Sequence, residues 1–240
     1  MMTPKKEFCL STIKILYWRE IKYLMRDHSL KVIFFMPLII SVIFLVPGGF
    51  RRLAFGLNEF HVLIGILLLD KEIYSNHFGN TKEEMRIYLI LPFWRLNLII
   101  TKNLFSLSFI ILQFVIFFAV YLILRIFIIG NCAKILMYFA LSFPLFLGIG
   151  NLVSIYSPRG FLEERKKESF ISGFIMPTII IVLSSVPYFI YSHLNLINKS
   201  VLRTGVFLLF FILSLGTYYL LLRLSNKMFE NKKYFILEKL

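Results

Sequence analysis

The chain has 240 residues, of which 58% are apolar and only 17% charged, with a mean hydropathy of +0.78. A water-soluble domain of this length keeps a polar surface and cannot carry such a composition, which implies an integral membrane protein. The net charge of +14 does not argue for nucleic acid: the bases are spread among membrane-flanking segments, and no RNP, zinc-finger or helix-turn-helix pattern accompanies them.

Residues 5–29 come first and show helical periodicity. Ile13, Leu16, Tyr17, Ile21, Leu24 and Met25 recur at three- and four-residue steps and form one apolar stripe. Lys14, Lys22 and Arg26 follow the opposite face, with Trp18 between. The pattern predicts an amphipathic helix lying in the membrane interface, with its bases toward anionic headgroups. A surface anchor and a partner-binding helix both fit it. No continuous apolar core precedes the first long span, so a cleavable leader is not expected.

Two apolar segments follow, at about 30–49 and 53–69. A helix needs ~20 apolar residues to cross ~30 Å of hydrocarbon. The first meets this; the second is shorter and holds Asn58, Glu59 and His61. An ionisable residue within a span is a functional candidate, since it costs ~2.5–3.5 kcal/mol to place at mid-membrane on insertion scales. Here it marks either a pathway or a polar interface between spans.

The segment 70–103 then turns polar, and it is read as a cytoplasmic loop. Gly79-Asn80 signals a turn. Thr81 and Glu84 make a capping box, and Glu83 and Glu84 complement the dipole at a helix start. Pro92 disfavours helical geometry at the residue before it, so the sequence predicts a short capped helix over Lys82–Leu91.

Further spans are expected at about 104–129, 135–156, 170–192 and 202–224. Pro144, Gly148, Gly150, Pro177 and Pro187 interrupt them and suit a bundle whose helices kink and approach closely. Six spans put both termini on one face. All of the 27 Lys and Arg residues except Arg51, Arg52, Arg125, Lys134, Lys199 and Arg203 fall on that face. The positive-inside rule therefore places the termini in the cytoplasm. Cys9 and Cys132 fall on opposite faces and make no disulfide within the chain. The four histidines show no ligand periodicity, so neither a metal nor a cofactor is expected.

Asn76-x-Phe78-Gly79, then Glu84, Tyr88-Leu89, Pro92, Arg95 and Lys102-Asn103 resemble the intracellular loop of type-2 ABC exporter permeases. A second stretch, Gly150-Asn151-Leu152-x-Ser154-Ile155-x-x-Pro158-Arg159, is similar to the end of the fourth span in that family. The resemblance implies an all-α membrane protein: six spans after an amphipathic interfacial helix, paired with a second permease subunit and served by separate ATPase subunits. It makes Lys82–Leu91 the coupling helix and Glu83, Glu84 and Arg86 the docking contacts. The sequence holds no GxxxxGK[ST] phosphate loop, so ATP hydrolysis would belong to the partner. Richness in Phe, Ile, Leu, Lys, Asn and Tyr points to a bacterial source, and so to the inner membrane.

Three alternatives stand beside this reading. Glu163-Glu164 with Phe189-x-x-x-His193 partly matches an intramembrane protease family, but Glu168 stands where a basic residue is expected. A secondary transporter would show internal repeats, and none is visible. A non-transporting membrane scaffold needs only that the ATPase be absent.

Overall fold

The computed structural model describes residues 10–26, 35, 67–68, 73, 95–123, 129–156, 178–183, 185–186, 189 and 200–239. All of them are helical. Four long helices emerge: α1 (Leu10–Arg26), α2 (Arg95–Ile123), α3 (Ile129–Tyr156) and α4 (Ser200–Lys239). Among the described residues, three helices are long and apolar enough to cross a membrane: Arg95–Ile116 of α2, Lys134–Ile155 of α3 and Thr204–Asn231 of α4. The remaining expected spans are represented only by isolated residues and short stretches.

The helices differ from the expected bounds at several points. α2 starts at Arg95, well before the expected 104, so the polar loop does not extend to 103. The physical reason is burial: Asn97, Thr101, Lys102 and Asn103 are all enclosed, covered in part by α1, which packs on α2. Polar residues that read as hydrated are interior ones. α4 runs on to Lys239, past the expected end of the span near 224. No Gly or Pro follows Gly216, so nothing in the tail breaks the helix. Ile129 opens α3 and does not close the preceding span. Ile73, also assigned to the polar loop, is helical and buried.

The larger apolar core joins α2 and α3 through Phe109, Ile110 and Phe114 on one side and Tyr138, Phe139, Phe143 and Phe146 on the other, with Leu67, Ile73 and Ile180 closing it. Aromatic rings carry the contact. Phe114 meets Phe139 edge-on at 4.9 Å, and Phe139 stacks on Phe143 at 4.5 Å. Such pairs contribute ~0.5–1.5 kcal/mol beyond their buried area.

α4 lies across α3 along the most extensive helix–helix contact. Gly148 makes it possible: a Cβ there would come within 2.6 Å of Leu221 Cδ1 and 2.9 Å of Leu221 Cβ. In lipid, where tails are as apolar as leucine, helices associate through such close backbone approach and through polar contacts. One such polar contact lies beside Pro144. The proline has no N–H to give the carbonyl of Ala140, and Ser214 of α4 donates into the same turn, to the Leu141 carbonyl at 2.6 Å. The other side of α4 is open: only 11% of its apolar window is buried, against 56% and 61% in α2 and α3.

Candidate functional site

The second core cluster gathers all four helices at one end of the bundle. Leu16 of α1, Leu98 and Ile99 of α2, Ile155 of α3, and Leu222 and Phe229 of α4 pack together. The polar residues of the interior are interleaved with these.

Glu20 is placed by α1. It follows Ile13 by seven residues and Leu16 by four, so the three share one face of the helix. That face is the buried one: Ile13 is 5% exposed, Leu16 3% and Glu20 4%. The Lys102 ammonium lies 2.6 Å from the Glu20 Oε1. At that separation the two opposite charges are in direct contact. A charge taken out of water loses several kcal/mol of hydration, and only close pairing offsets that. Each residue therefore holds the other in place.

Asn103 is the next residue on α2 and faces elsewhere. Its Nδ2 donates to the Tyr218 hydroxyl of α4 at 2.8 Å. Arg95, at the start of α2, feels the charge of Glu230 on α4. The hydroxyls nearby return to their own backbones: Thr101 Oγ1 donates to the Asn97 carbonyl at 2.7 Å, and Ser225 Oγ to the Leu221 carbonyl at 2.7 Å. This satisfies a polar group inside an apolar environment. Asn151 of α3 is an exception, fully buried with neither side-chain atom hydrogen-bonded.

Lys102 and Asn103 belong to the first motif stretch, Asn151 and Ser154 to the second. All four are buried, and their apolar neighbours Ile99 and Ile155 meet in one cluster. The structure thus brings two distant stretches to the same end of the bundle. The predicted docking residues Glu83, Glu84 and Arg86 lie outside the described residues, as do the helix Lys82–Leu91 and the polar trio Asn58, Glu59 and His61. Glu163, Glu164 and His193 also lie outside them. Among the described residues, no group of three His, Cys, Asp or Glu could hold a metal ion.

Sequence reasoning missed Glu20. Its signal was present: an acid at a stripe position is an anomaly, and an anomaly within an apolar face calls for a buried partner. The chemistry of the assembly is mechanical and electrostatic. It supplies a cross-brace between α1, α2 and α4. Comparison with protein-family models, with curated proteins and with solved structures finds no match for the chain.

Proposed function

We propose that this chain is the transmembrane permease subunit of an ATP-driven exporter, working with a second permease subunit and a separate ATPase subunit in the inner membrane, both termini cytoplasmic. The observation that carries the reading is the buried Glu20–Lys102 pair. It fastens the N-terminal helix to the first turns of α2, just beyond the short helix expected over Lys82–Leu91. A push on that short helix by a soluble partner would reach α2 first. From there the Asn103–Tyr218 bond leads on to α4. An ATPase-driven permease needs such a braced entry, because force arriving at a loose loop would be lost before reaching the spans.

The test is purification of the tagged chain from its native membrane in mild detergent, with assay of the eluate for bound polypeptides and ATP hydrolysis. The expected result is a co-purifying subunit that carries a phosphate loop, with vanadate-sensitive hydrolysis. Recovery of the chain alone would overturn the reading in favour of a scaffold, a secondary transporter or a membrane enzyme.

A further inference from the structure

The outer face of α1 is the surface with the clearest chemistry beyond this reading. At 100° per residue, the helix divides into two faces. Ile13, Leu16 and Glu20 occupy the one packed on α2. Leu10, Lys14, Ile15, Trp18, Lys22, Met25 and Arg26 occupy the other, and all are exposed. The expected apolar stripe is thereby split, because Ile13 and Leu16 meet protein while Met25 faces outward. What α1 offers its surroundings is a mixed surface: three cations set among Leu10, Ile15, Met25 and a Trp18 ring that is 55% exposed.

The sign of that surface is fixed by the buried pair. Glu20 is the single acid of α1, and it is turned inward against Lys102. Among the described residues of α1, no acid remains on the outer face beside Lys14, Lys22 and Arg26. Bases interleaved with tryptophan and aliphatic groups match the headgroup layer of a bilayer, where rings and methylenes sit among the glycerol and upper acyl carbons and cations meet phosphates. An acidic protein surface would match the charges and leave the apolar groups unanswered.

We propose that the outer face of α1 binds an anionic phospholipid surface, with Lys14, Lys22 and Arg26 selecting lipids of net negative charge and Trp18 seated at the level of the glycerol backbone. The inference does not depend on the exporter reading. It needs only a membrane-embedded chain and the orientation of α1 on α2.

Trp18 supplies its own probe. The chain has two tryptophans, so Trp94→Phe leaves Trp18 as the sole one. The full-length protein is reconstituted into vesicles with brominated acyl chains carried either on phosphatidylglycerol or on phosphatidylcholine, at equal total bromine. Quenching is expected from both lipids and more strongly from phosphatidylglycerol. That preference should fall by up to about fivefold for each cation removed among Lys14→Gln, Lys22→Gln and Arg26→Gln. Raising the salt should weaken it in the parent and not in the triple variant. The charge-preserving set Lys14→Arg, Lys22→Arg and Arg26→Lys should keep it, which separates charge selection from misfolding. Equal quenching by the two lipids would overturn the proposal. So would the absence of quenching by either, which would mean that protein covers this face.

Discussion

Asn103 on α2 and Tyr218 on α4 are joined by an amide–phenol hydrogen bond of 2.8 Å, while Lys102, one residue earlier, is engaged with Glu20 on α1. Adjacent positions of one helix point 100° apart, so this single turn of α2 grips two different helices. The turn is the node from which α1 and α4 are both held.

Cutting the Asn103–Tyr218 bond should loosen that node measurably. Tyr218→Phe and Asn103→Leu, combined in a double-mutant cycle, should yield a coupling of about 0.6 kcal/mol and no more than about 1.7, the range found for hydrogen bonds between membrane helices. Thermal unfolding of the detergent-solubilised protein, followed by helical circular dichroism, reads it. A coupling of zero would mean that the contact is not formed in solution.

The ion pair should behave asymmetrically. Glu20→Gln or Lys102→Met alone strands a buried charge and should destabilise the protein by about 3–5 kcal/mol. The pair Glu20→Leu with Lys102→Met should recover most of the loss, because it removes both desolvated charges at once. The same unfolding assay compares the three. If the double variant is as unstable as the singles, packing at these positions matters more than charge pairing.

Glycines on α3 and α4 should respond in opposite directions. Gly148→Ala places a methyl against Leu221 and should cost about 1–3 kcal/mol, the range for overpacking. At Gly205 and Gly216 a Cβ meets nothing within 4 Å. Alanine at either should be neutral or should stabilise by about 0.5–1 kcal/mol through helix propensity. Measured melting temperatures decide this directly, and a Gly148→Ala variant as stable as the parent would remove the close α3–α4 contact from the account.

Reversing Glu83 and Glu84 to Lys should weaken ATPase association about tenfold or more, which is ~1.4 kcal/mol or above, while membrane insertion stays intact. Arg86→Glu should act in the same direction. Pull-down of the ATPase against the tagged chain, with the membrane fraction quantified in parallel, supplies both readouts. Unchanged association would detach the docking role from Lys82–Leu91.

Much of the helical character was legible from apolar run length. Thr204 to Asn231 and Lys134 to Ile155 contain few charges, and span length is set by bilayer thickness whatever the packing. The start of α2 was not legible. Asn97, Thr101, Lys102 and Asn103 look like a solvated loop because hydropathy scores each residue as if water were its only partner. The partners of Lys102 and Asn103 lie on α1 and α4, far along the chain. Glu20 was hidden by the same blindness, since only the fold brings Lys102 to it. The polar positions that matter most to this interior are the ones whose meaning depends on residues distant in sequence.

The unbroken length of α4 has a consequence of its own. Its 40 residues make a rod ~60 Å long at 1.5 Å per residue, about twice the ~30 Å of hydrocarbon it has to cross. One end therefore stands clear of the acyl region, and the rod bears on α3 where Gly148 meets Leu221. A tilt of ~10° about that contact would move a tip ~30 Å away by ~5 Å, close to the pitch of one helical turn. The length of α4 would therefore carry any tilt of the helix to its ends in proportion to their distance from Gly148.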